Sequence, residues 1–494
     1  MHNTVKTLGK ETIIYSISNI IIRGCGYLAL LLQTNILPPS AYSIVIEFYG
    51  SYIALGHVLY DLAMDMTYFR FVHRLGKQHT FNIIVTILLV SSLIFSILLI
   101  LYTPQIAKLT NHLAHMRYFY YMAGILMLDT LLMIPYANLR VEKKTLWFLL
   151  VKAVQACAGI IFSFILLYCP VALRCIAYGM YHYLHLPVHL NGIDAVFIAT
   201  ILSNITALAF LLPNFKGFHL VWNKRTMQTI GGYAATSFCT MLFVRLNETL
   251  PLLLFRKLVP NNFYSAHTKE EILANFGTAC KLTVCITLGI QAFKHAAEPF
   301  FFAHLGRKEA LKLYRQTMHL FILTSCFCLL LFSVNIDWVA KILIPNPRYR
   351  HTIDAVPYLA FAHIILGVYY NLSAAFKLSN HPRYNTWISA LGSLVIGCTA
   401  LLLIPKLGHW GCVYASISGA ATMGLLGYYT GQKCYPIPYH KGSFLLLLGC
   451  FLALHPIVLW RNTLTFLGAG WSYALLHTII LVTFYRIAIR WKKV

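Results

Sequence analysis

Three basic residues lie inside long apolar segments, where charged side chains are rare: Arg23, Arg245 and Lys281. A charge at the centre of a bilayer costs about 2.5 to 3.5 kcal/mol on insertion scales, so such a side chain usually faces a water-filled cavity or a partner. Arg offers a planar fork to phosphate oxygens, and Lys offers a point charge. Three cations that converge on one cavity can therefore hold a pyrophosphate group. The alternative for Arg245 is a local pair with Glu248 on the same helix face.

Acidic residues also fall within the apolar segments, and these are Glu47, Asp61, Asp65, Asp129 and Glu248. Asp61 and Asp65 are spaced as neighbours on a helix face, close in sequence to Arg70. We expect an ion pair that gates the inner end of these helices, with Arg70 or Arg140 as the base. Coupling of H+ or Na+ through Asp61, Asp65, Asp129 or Glu248 is the other role open to these carboxylates.

Metal binding and catalysis find little support among the other polar residues. His182, His185 and His189 have helical spacing, but no other ligand lies beside them before Asp194, and aromatic neighbours fit a membrane-interface belt. The sequence has no nucleotide-binding loop and no nucleophile elbow. We expect that the protein is not an enzyme and that it binds neither a cofactor nor a metal. The cysteines are scattered, and only Cys169 with Cys175 is a candidate disulfide.

The composition is that of an integral membrane protein. Of 494 residues, 59% are hydrophobic and 11% are charged, and the mean hydropathy is +0.68. No polar stretch is long enough for a soluble catalytic domain. The net charge of +25 indicates loops that face an anionic leaflet, or an anionic substrate, rather than nucleic acid.

Fourteen segments are long and apolar enough to span a bilayer, which predicts an all-α fold of about fourteen transmembrane helices. The second is predicted over Ala41–Tyr68 and the eighth over Ile272–Phe293. With the N-terminus placed inside, the inner loops hold more than twice as many Lys and Arg residues as the outer loops. The positive-inside rule then places both termini in the cytoplasm.

A weak internal repeat predicts how the spans are grouped. Arg23 precedes Pro38 by the same interval as Arg245 precedes Pro260, so spans one and seven share a pattern. We expect two six-helix lobes and a terminal helix pair, with a substrate site between the lobes. The predicted parts are 1–225, 226–432 and 433–494.

Four stretches resemble a known family of transporters. They are Leu32–Tyr42 (LQTNILPPSAY), Ile134–Lys144 (IPYANLRVEKK), Gly277–Phe302 (GTACKLTVCITLGIQAFKHAAEPFFF) and Leu403–Ser416 (LIPKLGHWGCVYAS). In their order along nearly the whole chain they resemble the polysaccharide and O-antigen flippases, which belong to the multidrug/oligosaccharidyl-lipid/polysaccharide exporter superfamily. The chain departs from that family at Gly411-Cys412, where Gly-Ala is usual, and at Asn247-Glu248, where Asp-Arg is frequent.

The resemblance implies a cationic central cavity and a function. The expected function is to flip a lipid-pyrophosphate-linked oligosaccharide from the inner to the outer leaflet by alternating access, for surface polysaccharide and lipopolysaccharide biosynthesis. The expected location is the bacterial cytoplasmic (inner) membrane. The expected partners are this anionic substrate, membrane lipids and a coupling ion, H+ or Na+. A peptidoglycan-precursor flippase and a drug/cation antiporter of the same superfamily are the alternatives. A membrane glycosyltransferase is disfavoured, because it would need a large outer loop and this sequence has none.

Overall fold

The computed structural model describes residues 24–169, 190–303, 310–378, 383–464, 477–484 and 486. These residues form helices and connecting turns, without a β-strand among them. Helices suit apolar segments because every backbone hydrogen bond closes within the segment, where lipid offers no partner. The all-α prediction is confirmed.

Ten of the described helices or helix pairs are long and apolar enough to cross a membrane. They cover Lys77–Leu101, Arg117–Val141, Thr145–Tyr168, Gly192–Phe215, Lys224–Leu258, Lys269–Lys294, Leu311–Val334, Ile353–Ser373, Arg383–Leu407 and Lys441–Trp460.

The chain divides into two compact units, unit 1 (Met1–Arg245) and unit 2 (Leu246–Val494). The boundary falls inside one 35-residue helix, α10 (Lys224–Leu258). The predicted division into parts 1–225, 226–432 and 433–494 stays a prediction.

Unit 1 has an aromatic core and a second core of mixed aliphatic and aromatic side chains. Phe48 lies at the centre of the first, with its ring 4.9 Å from that of Phe119 and 5.7 Å from that of Phe197. Tyr68 and Ile134 belong to the second. The described helices of unit 1 before α10 are α1 (24–36), α2 (Pro39–Glu47), α3 (Ile53–Asp61), α4 (Met64–Leu75), α5 (Lys77–Leu101), α6 (Thr103–Leu109), α7 (Arg117–Val141), α8 (Thr145–Tyr168) and α9 (Gly192–Leu211).

Unit 2 is built around one large apolar core, which includes Phe255, Phe321, Ile364 and Leu454. Thr268 begins its first complete helix with a capping box, in which the backbone N–H groups and side chains of Thr268 and Glu271 satisfy each other. The described helices of unit 2 after α10 are α11 (Lys269–Leu282), α12 (Val284–Ala303), α13 (Ala310–Val334), α14 (Ile336–Leu343), α15 (Val356–Leu378), α16 (Arg383–Leu407), α17 (His409–Cys434), α18 (Lys441–Leu464) and α19 (477–484).

The two units repeat one order of elements. In unit 1, the long α5 is followed by the short α6, a 3-10 turn and the long helices α7, α8 and α9. In unit 2, the long α13 is followed by the short α14, 3-10 turns and the long helices α15, α16 and α17. The repeat predicted from spans one and seven stays a prediction, because Arg23 lies outside the described residues.

The second predicted span is not one continuous helix. A π-helical turn, Phe48–Tyr52, separates α2 from α3, and the helix stops between α3 and α4. Leu62 and Ala63 there have φ of 50° and 54°. Two left-handed residues reverse the local twist and cost about 1 to 2 kcal/mol each. Asp61 and Asp65 therefore do not share one uninterrupted helix face, which the sequence spacing had predicted.

Candidate functional site

A chain of polar side chains crosses the interior of unit 1 between three membrane-spanning helices. The Asn204 amide on α9 donates to Asp129 Oδ1 on α7 at 2.8 Å. Gln155 on α8 donates in turn to Asn204 Oδ1 at 2.9 Å. The Gln155 carbonyl oxygen accepts from the Tyr136 hydroxyl at 3.0 Å and from Lys152 Nζ at 3.3 Å. These hydrogen bonds link a carboxylate to an ammonium group through two amides.

Charged groups from two further helices lie next to this chain of side chains. His57 Nε2 on α3 lies 3.6 Å from Asp129 Oδ2. The Arg245 guanidinium on α10 is close enough to act electrostatically on both His57 and Asp61. We call this group the unit 1 polar cluster, and its members are His57, Asp61, Asp129, Tyr136, Lys152, Gln155, Asn204 and Arg245.

Close helix packing positions the cluster. A Cβ atom on Gly56 would lie 2.5 Å from a methyl carbon of Leu126, so α3 packs closely against α7 and a larger residue would have to displace the Leu126 side chain. This approach brings His57 to the side of Asp129. On α8, a Cβ atom on Gly159 would be 3.7 Å from Ser203, which places Gln155, one turn earlier, against Asn204 of α9.

Exchange of one proton or one monovalent cation changes the net charge of the cluster by only one unit. Two carboxylates, Asp61 and Asp129, lie with two basic side chains, Lys152 and Arg245, and with the titratable His57. In a low-dielectric interior these groups influence one another strongly. Protonation of one carboxylate therefore weakens the electrostatic attraction between the carboxylates and the basic side chains of the cluster.

The sequence predicted Arg245, Asp61 and Asp129 as functional residues but did not indicate that they belong together. It missed Lys152 and His57. Lys152 lies about two turns after the start of α8. Its Nζ sits 3.9 Å from the centre of the Tyr136 ring. The signal that could have found it is a Lys at helical spacing before Gln155.

At one end of unit 1, ion pairs around Glu142 connect two helix turns. The sequence did not indicate these ion pairs. Glu142 pairs with Lys77, and with Lys144 at 2.7 Å. Asn138 donates to the same carboxylate at 3.2 Å. Partial burial opposes ionisation, but the hydrogen bonds from Lys144 and Lys77 outweigh it and lower the pKa of Glu142. The charges fix the α4–α5 and α7–α8 turns to each other.

The predicted gate bases stack on aromatic rings. The Arg70 guanidinium lies 4.1 Å from the centre of the Tyr233 ring, and that of Arg140 lies 4.9 Å from the Phe69 ring. The Asp65 carboxylate accepts the Met66 N–H at 2.7 Å, in the first turn of α4. The pairing of Asp65 with Arg140 stays a prediction.

Glu47 lies in the aromatic core of unit 1 rather than in the polar cluster. Its side chain is 1% exposed and lies 3.2 Å from His112 Nε2, which is fully buried. The Tyr52 hydroxyl donates to it at 2.9 Å. The pair ties α2 to the segment that follows α6.

The remaining predicted residues are placed in unit 2 or lie outside the described residues. Lys281 is half-buried and lies two residues before Thr283, where α11 ends and α12 follows at once. Glu248 is exposed on α10. Beside it, Asn247 accepts from the Ser393 hydroxyl at 2.9 Å, so this departure from the flippase pattern joins α10 to α16. The predicted positions outside the described residues are Arg23, Cys175, His182, His185 and His189.

Metal ligands are not grouped in the part of the chain that the structure describes. There, no three His, Cys, Asp or Glu side chains are arranged to hold an ion. The polar cluster of unit 1 is therefore the candidate site that the described residues offer.

Comparison with solved structures assigns the fold. Lipid II flippase MurJ in an inward closed conformation matches with a TM-score of 0.69 and 13% identity, over 97% of this chain and 100% of that one. An inward-facing multidrug resistance MATE family transporter of the MOP superfamily matches with a TM-score of 0.63 and 14% identity, over 85% and 97%. The chain shares the fold of these two membrane proteins.

A third match bears on the variety within this fold. A MOP superfamily transporter from Pyrococcus furiosus, described as having a binding pocket of reversed polarity, has a TM-score of 0.57 and 15% identity, over 86% of this chain and 95% of that one. No protein-family model matches the sequence, and the comparison with curated proteins gives no significant match. At these identities the comparisons show the fold alone, and that fold is shared by a multidrug transporter and a lipid flippase.

Proposed function

We propose that this protein is a flippase that moves a lipid-pyrophosphate-linked oligosaccharide from the inner to the outer leaflet by alternating access. The observation that carries the proposal is Arg245, a cation in the middle of a membrane-spanning helix that belongs to a cluster of titratable side chains. Arg23 and Lys281 are the further cations for the phosphates. The fold is shared with a lipid II flippase over the whole length of that protein, which supports a lipid-linked substrate.

The unit 1 polar cluster offers a route for coupling to H+ or Na+. With Asp61 ionised, its carboxylate competes with substrate phosphate for the Arg245 guanidinium. When Asp61 or Asp129 takes up a proton, or exchanges its charge with a bound cation, Arg245 is released towards the phosphate. Loading of the substrate and uptake of the ion would then favour each other, as coupled binding requires.

The direct test is transport in proteoliposomes with a labelled lipid-pyrophosphate oligosaccharide. Wild type should exceed Arg245→Lys, which keeps the charge but loses the fork, and this should exceed Arg245→Gln. Loss of a charge-assisted phosphate contact is worth about 1.5 to 3 kcal/mol, so affinity should fall about tenfold or more in Arg245→Gln. The same order is expected for Arg23→Lys and Arg23→Gln.

Arg256→Gln is the matched control, because this Arg lies on the same helix but pairs with Glu270 at 3.6 Å, away from the cluster. Its transport should stay near the wild-type rate. Equal transport by all Arg245 and Arg23 variants at subsaturating substrate, with protein level and folding unchanged, would remove the phosphate-binding role.

The alternatives differ in substrate and are separable in the same assay. A peptidoglycan-precursor flippase would transport lipid II in preference to an O-antigen precursor. A drug/cation antiporter is favoured by the carboxylates Asp61 and Asp129 and by the likeness to MATE transporters, and it would exchange a cationic dye for protons without any lipid-linked sugar. Complementation of a strain that lacks its O-antigen flippase, scored by surface polysaccharide, tests the preferred class in a bacterial inner membrane.

A further inference from the structure

Basic and histidine side chains gather at one end of unit 2, where α13 and α18 begin. Arg315 and His319 lie one turn apart on α13. The His319 ring is 5.8 Å from the ring of His440, the residue before α18, and His319 Nδ1 lies 2.6 Å from the Ser443 hydroxyl. Arg315 acts electrostatically on His440. The distribution of basic loops assigns this end to the cytoplasmic side.

The charges at this end have no protein counter-charge among the described residues. No described carboxylate forms an ion pair with Arg315, His440 or Lys441, and the Arg315 Nε group is buried without a hydrogen-bond acceptor. No Asp or Glu follows Asp354 in the sequence, whereas Lys and Arg continue to Lys493. Because desolvated guanidinium groups require an acceptor, the arrangement calls for an anion from outside the protein.

The start of α18 adds to the attraction for an anion. Lys441 and Gly442 are exposed in its first turn, and the space beside Gly442 is open. The first N–H groups of a 24-residue helix carry partial positive charge and point along its axis. They add to the positive potential of the cationic side chains.

An apolar stripe leads away from these charges along α18. Leu445, Leu448 and Leu452 are 67%, 55% and 63% exposed and lie on one face of a helix long enough to cross the membrane. In a bilayer this face lies in the hydrocarbon layer, where the acyl chains of a lipid bound at the charged end can pack against it. The cationic side chains match the anionic headgroup of a phospholipid, and the exposed leucines next to them match its acyl chains.

We propose that Arg315, His440 and Lys441 bind the phosphate of an anionic phospholipid headgroup from the cytoplasmic leaflet, with its acyl chains along Leu445, Leu448 and Leu452. Phosphate is the group recognised, and the leucine stripe selects a lipid over a free phosphate ion. The site lies within unit 2 and does not depend on the transported substrate.

The test uses the purified full chain, with bound lipid counted by native mass spectrometry. Dioleoylphosphatidylglycerol should bind more tightly than dioleoylphosphatidylcholine. Each charge removed, in Arg315→Gln or Lys441→Gln, should weaken the phosphatidylglycerol complex about fivefold. Arg348→Gln, which removes an exposed charge from the segment before α15, is the control and should leave binding unchanged.

Two further arms separate the lipid from the free ion. Leu445→Ala with Leu448→Ala should weaken phosphatidylglycerol binding, while millimolar sodium phosphate should fail to displace the lipid. Equal binding of the two lipids, or unchanged binding in both charge variants, would overturn the site. Displacement by sodium phosphate would overturn its assignment to a lipid. Arg315→Lys keeps the charge and should bind within about twofold of wild type, so a folding failure of Arg315→Gln leaves the site testable through Arg315→Lys and Lys441→Gln.

Discussion

At the scale of single residues, Asp129 is the point where the polar groups of unit 1 meet. It receives the Asn204 amide at 2.8 Å, lies 3.6 Å from His57 and is within electrostatic reach of Lys152. An ionisable group inside a membrane-spanning helix is costly, and such groups persist where a function uses them. The position therefore suits a side chain that takes up an ion during transport.

Asp129→Asn should strongly reduce the response of transport to a pH or sodium gradient while leaving the fold intact. The Asn side chain has the same shape and can still accept the Asn204 amide, but it cannot ionise. Gradient-driven transport in proteoliposomes should fall about tenfold, within the usual range of coupling free energies.

Asp337→Asn removes a carboxylate from the short helix α14 and serves as the control. Its gradient response should match that of wild type. An unaltered gradient response in Asp129→Asn would exclude this carboxylate from coupling.

At the scale of elements, the hairpin of α16 and α17 explains one stretch of the flippase resemblance, Leu403–Ser416. Gly408 adopts φ of +58° at the turn, and the Tyr264 hydroxyl accepts the His409 N–H at 2.9 Å. A Cβ atom on Gly411 would lie 2.6 Å from the backbone of Ile404. The two helices therefore cross in direct backbone contact, which glycine alone permits.

Gly411→Ala should destabilise the protein by about 2 kcal/mol or more, because the added methyl meets backbone that cannot move aside as a side chain can. Thermal unfolding in detergent would show the loss. Gly397→Ala makes the same change on α16 where nothing lies within 4 Å, and it should be neutral or slightly stabilising. Equal unfolding temperatures for the two variants would contradict the close crossing.

At the scale of the whole molecule, the distribution of basic loops predicts both termini in the cytoplasm. An alkaline phosphatase fusion after Val494 should be inactive, and a fluorescent protein fused there should fluoresce. A phosphatase fusion after Asn346, in a predicted outer loop, should be active. The opposite pattern would invert the predicted topology, because phosphatase folds only outside the cytoplasm.

The sequence by itself determined the all-helical membrane class and where most of the long helices lie. Runs of about 20 apolar residues report these features directly, since each depends only on composition along the chain. It also singled out Leu403–Ser416 through the family resemblance, whereas the close backbone contact at Gly411 is seen only in the structure.

Only the tertiary structure decided which side chains meet. Leu62 and Ala63 carry no Gly or Pro signal, yet they break the second span, and Lys152 joins Asp129 through Gln155 and Asn204. Such contacts depend on how each helix is rotated and how closely it approaches its neighbour, and these depend on packing between residues far apart in sequence. The hydropathy pattern along the sequence does not indicate how each helix is rotated relative to its neighbours.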